Sequence, residues 1–174
     1  MKKLLLFILL IGILWFFFVF KDSTTTGVDN NVATNTDNFQ PDPSSATFTF
    51  DEGPITLSSG KGEEAGNEVE LLGEKASGDL NADNKEDSVV LLASSGGGSG
   101  VFVYVAAYVS GPVSYKGTNA VFVGDRISPE SLSISNGVVT FNYLDRKPDE
   151  PFAAEPTVPA SLQFVYRNGS LEAR

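Results

Sequence analysis

Residues 88–109 read SVVLLASSGGGSGVFVYVAAYV. Ser88–Ala93 and Val101–Val109 are nearly continuous apolar runs, rich in valine and aromatic residues. A half-buried strand alternates apolar and polar residues, whereas an unbroken short run suits a strand covered on both faces. The two runs are therefore expected to be the central strands of a β domain. The segment between them, Ser94–Gly100, consists only of serine and glycine and suits a hairpin with a mobile tip.

The same signals continue outward. On the C-terminal side, Ala120–Val123, Leu132–Ile134, Val138–Tyr143, Leu162–Tyr166 and Ser170–Glu172 are short β-type segments. Asn136-Gly137 and Asn168-Gly169 fall between four of them, and Asn-Gly flanked by β formers is a strong hairpin signal. Asp145–Pro159 carries prolines at 148, 151, 156 and 159, which exclude a helix and stiffen a long loop. On the N-terminal side, Thr47–Phe50 and Ile55–Leu57 flank the turn sequence Asp51-Glu52-Gly53-Pro54, and Val69–Leu72 is a further short run. Lys61–Asn67, polar and glycine-containing, reads as a loop. Frequent turns, short strands and no helical periodicity predict an all-β fold over residues 47–174, a single small antiparallel sandwich or barrel-like domain. A variant with one short helix near Pro129–Leu132 is also open.

Ahead of this domain, Leu4–Phe20 is an uninterrupted apolar run between Lys2-Lys3 and Lys21-Asp22. It falls within the length range of a transmembrane helix and is longer than most signal-peptide cores. Residues 1–21 are thus expected to form an N-terminal transmembrane anchor, the alternative being a cleaved signal peptide. The two leading lysines favour a cytoplasmic N-terminus with the remaining chain outside the cell membrane, or secreted if cleavage occurs. Residues 22–46 are rich in Ser, Thr, Asn, Asp and Pro, a composition expected of a disordered linker.

Cysteine and histidine are both absent. This excludes disulfides, Cys- or His-based zinc, iron–sulfur and haem sites, and any triad with a histidine base. A metal here must sit among oxygen atoms, which favours calcium or magnesium. The formal net charge is −10. From Asp22 onward, nine basic and 22 acidic residues leave −13. Such a surface repels phosphate backbones, so nucleic acid is not an expected partner.

One stretch carries chemistry. In Asp79-Leu80-Asn81-Ala82-Asp83-Asn84-Lys85-Glu86-Asp87, oxygen-bearing side chains occupy positions 1, 3, 5 and 9, and Lys85 at position 7 can offer its carbonyl. Alternate residues of a tight loop point inward, so Asp79, Asn81 and Asp83 would converge on a hard cation. Position 6 of such loops needs a positive φ and usually holds glycine; here it is Asn84, the next most tolerant type. Position 12 is Val90, so the bidentate glutamate of an EF-hand is missing. The bland alternative is an Asx-rich turn that binds nothing.

Gly78–Leu92 resembles the G-D-x-N-x-D-G-x-x-D-x-x-V calcium loop of FG-GAP-type repeats and, more loosely, dockerin loops. The resemblance implies calcium as the cofactor, with Asp79, Asn81, Asp83, Lys85 (through its carbonyl) and Asp87 as ligands. The sequence holds a single copy, so the β-propeller built from such repeats does not carry over. A wider stretch, from Gly78 to the segment around Asp145–Pro151, is similar to small exported bacterial proteins of unknown function.

Asp125-Arg126 and Asp145-Arg146-Lys147 place acid beside base and read as local ion pairs. The tyrosines are scattered among the strands. No catalytic set is evident. The expected function is a non-catalytic, calcium-stabilised module, tethered to the membrane by its N-terminal helix and binding an envelope component or a protein. The alternatives are a carboxylate-dependent hydrolase acting on envelope polymers, with two acids across a cleft, and a purely structural spacer.

Overall fold

A computed structural model describes residues 41–64 and 66–174. The anchor expected at 1–21 and most of the linker expected at 22–46 lie outside the described residues. Within them, no helix is long and apolar enough to cross a membrane.

The described chain is all-β, with twelve strands: β1 (Thr47–Phe50), β2 (Gly53–Thr56), β3 (Lys61–Glu64), β4 (Asn67–Gly78), β5 (Asp87–Ser95), β6 (Phe102–Val109), β7 (Lys116–Gly117), β8 (Val121–Asp125), β9 (Ser128–Ser135), β10 (Val138–Asp145), β11 (Val158–Arg167) and β12 (Ser170–Ala173). They form three antiparallel sheets, none closed into a barrel. One is a ribbon of β1 and β2. Another is four-stranded, in the order β12-β11-β10-β9. The third is six-stranded, in the order β3-β4-β5-β6-β7, with β8 also paired to β6.

The double burial expected of β5 and β6 is what organises these layers. Val89 and Leu91 of β5, with Val103, Val105 and Ala107 of β6, share one core with Val139, Phe141 and Phe164 of the four-stranded sheet. Val90, Leu92 and Ala106 point the other way. They share a second core with Phe48, Phe50 and Ile55 of the ribbon. Each fully buried Val, Leu or Phe contributes about 1.5–3 kcal/mol of transfer free energy. The ribbon is fastened at its β1 side, where Thr49 N donates to Thr118 O (3.0 Å) and Ala120 N to Thr49 O (2.8 Å). β7 passes so near β1 that a Cβ on Gly117 would meet the Thr47 carbonyl and stand 2.9 Å from Phe48 Cδ1, so only glycine fits there.

Several local expectations are corrected. Lys61–Asn67 is not a loop: Lys61–Glu64 pairs with Asn67–Glu70 as a hairpin. β4 runs far beyond Leu72, to Gly78. Its register against β5 jumps from Leu71↔Leu92 to Lys75↔Val90, so three residues, Leu72–Glu74, oppose Leu91 alone, and this bulge hides the strand's period. The segment near Pro129–Leu132 is part of strand β9 rather than a helix. The ordered part also begins earlier than Thr47. Pro43–Ser45 forms a 3-10 turn capped by Asp42, and Ser88 Oγ donates to Pro41 O (3.2 Å). Residues 41–46 are therefore fixed to the domain and are not linker.

The hairpins at Asn136-Gly137 and Asn168-Gly169 form as expected. Their φ values are 52° and 71°, and 50° and 89°, the left-handed pairs that such tight turns require. Ser94–Gly100 joins the paired strands β5 and β6. The loop after Asp145 is pinned by Arg146, whose Nε donates to Ala154 O (2.7 Å) and Nη1 to Asp125 O (3.2 Å).

Candidate functional site at the 79–87 loop

The loop connects β4 to β5, and the side chains of Asp79, Asn81 and Asp83 turn back onto its backbone. Asp79 Oδ1 accepts from the N–H groups of Asn81 (3.2 Å), Ala82 (2.7 Å) and Asp83 (3.3 Å), and its Oδ2 accepts from Asn84 N (2.9 Å). Asn81 Oδ1 accepts from Asp83 N (3.0 Å), and Asp83 Oδ1 from Lys85 N (2.9 Å). The alternation in the sequence thus becomes a coil with Asp79, Asn81 and Asp83 turned onto its inner side. Asn84 has φ 62°, the positive value its position requires, and Ala82 also takes a positive φ, 61°.

Asp87 stands apart. Its side chain is 0% exposed. Oδ2 accepts from Leu80 N and Oδ1 from Ser110 N, both at 2.8 Å. It ties the two ends of the loop together and joins them to the end of β6. A carboxylate oxygen has more than one lone-pair direction, so these bonds leave it acceptor capacity.

Ser110, which carried no signal in the sequence, is the loop's second anchor. Its Oγ donates to Asp83 Oδ2 (2.7 Å), and its carbonyl accepts from Asn81 Nδ2 (2.9 Å). The Ser110 hydroxyl is the main reason that the Asp83 carboxyl lies below its ordinary pKa, helped by backbone N–H donation from Lys85. Lys85 Nζ reaches Gly111 O (3.2 Å) and stands 3.6 Å from Asp83 Oδ2. Tyr115 OH donates to Glu86 O (2.9 Å). Its phenol pKa is raised, first by burial and then by the field of Asp87, Asp83 and Glu86. Glu86 Oε2 is enclosed and accepts no hydrogen bond. The loop therefore concentrates negative potential despite Lys85.

Gly78, just before the loop, has a packing role. A Cβ there would lie 3.0 Å from Ile134 Cγ2 of β9, so its absence lets β4 approach the four-stranded sheet.

All five residues of the expected ligand set lie in this one coil. Asp79, Asn81 and Asp83 are on its inner side, Lys85 supplies backbone, and Asp87 is the clamp at its base. Among the described residues no three acidic or other metal-binding side chains form a ready-made metal cage, so any cation here would need the Asn81 amide and a carbonyl as well as carboxylates. Elsewhere, Asp125 and Arg126 form a two-point ion pair, with Nε–Oδ1 3.0 Å and Nη2–Oδ2 2.8 Å. The Arg126 guanidinium is the first cause of the lowered Asp125 pKa. Comparison with known proteins returned no matching family model, no matching curated protein and no matching solved structure, so the interpretation of the loop stands on its own geometry.

Proposed function

We propose that this protein is a membrane-tethered extracytoplasmic binding module whose 79–87 loop takes a calcium ion as a structural clip. The observation that carries this reading is the coil itself. It turns two carboxylates and an amide oxygen inward on a backbone whose N–H groups already hold them, so the side chains are ordered before any ion arrives. The donors are all oxygens, which suits a hard cation. The Tyr115 phenol, whose pKa is raised first by burial and then by Asp87, Asp83 and Glu86, lies beside this excess of negative charge. Asp79, Asn81 and Asp83 would supply side-chain oxygens, Lys85 its carbonyl and Asp87 its remaining acceptor capacity. The bound ion would supply charge neutralisation and nothing chemical.

Four carboxyl groups are unsuited to the general-acid role that hydrolysis would need. Asp42, Asp83, Asp125 and Glu150 all have lowered pKa values, caused first by hydrogen bonds from Ser44, Ser110, Arg126 and Lys147 respectively. A general acid needs the opposite shift.

The test is thermal unfolding of the full-length protein in non-ionic detergent, followed by circular dichroism with calcium, magnesium or a chelator. A ligand bound only by the folded state, at about 100 times its Kd, adds ~2.7 kcal/mol. Calcium at about 10 mM should raise the midpoint, since extracellular sites commonly have Kd values of ~10⁻⁴–10⁻³ M. The Asp83→Ala protein should lose that increment. Equal midpoints in calcium and in chelator would reduce the loop to an ordinary turn. Repeated empty captures from envelope extracts, with calcium present, would remove the binding role.

A further inference from the structure

The opposite end of β5 and β6 carries a second constellation, made of rings. Tyr104 of β6 is the cross-strand partner of Phe122 on β8, and Phe102 is the partner of Ser94 on β5. The ring centroids of Phe102 and Phe122 are 6.1 Å apart at 60°, those of Tyr104 and Phe122 are 5.6 Å apart at 65°, and Phe50 stands edge-on to Tyr104 at 5.0 Å. The ribbon covers the sheet face as far as Phe50 and then turns back at Asp51-Glu52. Beyond the turn the rings are open to solvent, Phe102 being 39% and Phe122 52% exposed. Glu52, Asn67, Ser94, Phe102, Tyr104 and Phe122 enclose a hollow of about 310 Å³.

We propose that this hollow docks an arginine side chain of a partner protein, its guanidinium lying against the Phe102, Tyr104 and Phe122 rings with Glu52 as the counter-charge. The inference names the partner chemistry of the binding module proposed above. It rests on that reading but not on calcium.

Three observations support it. First, the lining is aromatic and acidic with no basic residue, on a protein of net charge −10, and aromatic faces beside a carboxylate attract cations. Both Glu52 and Asp51 act on Tyr104, whose pKa is raised by burial first and then by these two charges. Second, the domain already builds the same grouping internally. The Arg126 guanidinium carbon lies 4.6 Å from the centroid of the exposed Phe152 ring while its nitrogens donate to Asp125. Third, the rings stand at steep angles to one another, as walls. A flat sugar would want a coplanar platform, whereas a guanidinium can stack on one wall and aim its fork of donors at Glu52 and the Asn67 amide.

The test is NMR of full-length protein with labelled Phe and Tyr rings, in non-ionic detergent and with calcium. It is titrated with a blocked Gly-Gly-Arg-Gly-Gly peptide and with the same peptide carrying uncharged citrulline. The arginine peptide should shift the Phe102, Tyr104 and Phe122 signals saturably, more weakly at high salt, and the citrulline peptide should not. Phe122→Ala should weaken binding ~2–5-fold, the range for an exposed cation–π contact, and Glu52→Gln up to about 5-fold, the range for an exposed ion pair. The proposal is overturned by equal responses to both peptides, by no response, by shifts confined to other rings, or by a response only to a neutral oligosaccharide. The calcium melt does not depend on Phe122, and the envelope capture reads partner binding anywhere on the domain. A failed titration with either of them intact therefore sinks this inference alone, whereas empty captures sink the binding role itself.

Discussion

The two ends of the β5–β6 hairpin are built on opposite plans. They are separated by the paired stretch from Ser88↔Tyr108 to Ser94↔Phe102, about 20 Å at the usual strand rise. At the first end, side chains bond to backbone almost everywhere: Asp79, Asn81, Asp83 and Asp87 between them accept from seven N–H groups. At the second end the side chains are rings and small residues, half in water, and order comes from the β6–β8 pairing and from Asp125, which accepts from Val101 N (3.0 Å). The first end turns its polar groups inward, where the backbone holds them. The second leaves its apolar surface outward, where another molecule can use it. On the proposed reading, one hairpin carries a clip at one end and a contact surface at the other.

The largest expected effect falls on the clip. Asp87→Ala removes a fully buried acceptor and orphans the Leu80 and Ser110 N–H groups. Each unsatisfied buried donor costs about 1–3 kcal/mol, so the mutation should lower the unfolding free energy by about 2–6 kcal/mol, a large part of the ~5–15 kcal/mol typical of a domain. Asp87→Asn keeps one acceptor and should lose less. Denaturant unfolding measures both. If Asp87→Ala were as mild as truncating a ring at the other end, the two ends would not differ in how much they hold the fold together.

A smaller effect separates the two ends by titration. Asp83 is held below its ordinary pKa first by the Ser110 hydroxyl, and Asp125 first by the Arg126 guanidinium. A carboxylate with a lowered folded-state pKa stabilises the fold fully above its unfolded value, near 4. That stabilisation is lost as the pH falls through the folded value. In chelator, carboxyl NMR should therefore show Ser110→Ala raising the Asp83 pKa and leaving Asp125 alone, and Arg126→Gln doing the reverse. In each variant the acid-induced loss of stability should shrink, because the folded-state pKa of the carboxyl that lost its partner moves toward its unfolded value. Movement of both carboxyls in either variant would mean that the ends are coupled.

The two ends were also unequally legible. The apolar runs 88–93 and 101–109 announced central strands because burial on both faces leaves no alternation to misread. The D-x-N-x-D spacing announced a coil because Asx side chains reach the backbone two residues on, and Asn84 took the positive φ its position needs. Ser110 could not be foreseen: a lone serine is brought to Asp83 only when β6 ends beside the loop. The KGEE of β3 has no apolar alternation and forms a strand because β4 offers it an edge, with Lys61 3.1 Å from Glu70. The ring cluster was unreadable for a related reason. Phe102, Tyr104 and Phe122 each look like ordinary strand residues, and only the registers of β5, β6 and β8, with the ribbon stopping short, gather them on one open face.

The smallest expected effect is the one that most sharpens the contrast. Phe122 is 52% exposed, so its truncation removes only part of the transfer free energy of a buried ring, ~1.5–3 kcal/mol. It also loses two edge-to-face contacts whose worth is partly discounted by water. No closed cavity results, because solvent occupies the space, and the cavity cost that makes core truncations severe does not arise. Phe122→Ala should therefore cost about 1 kcal/mol in denaturant unfolding, well below Asp87→Ala. A cost of 3 kcal/mol or more, the range of a buried ring, would show that the cluster holds the sheet together. Its exposure would then be incidental, and the contact surface would have to be sought elsewhere on the domain.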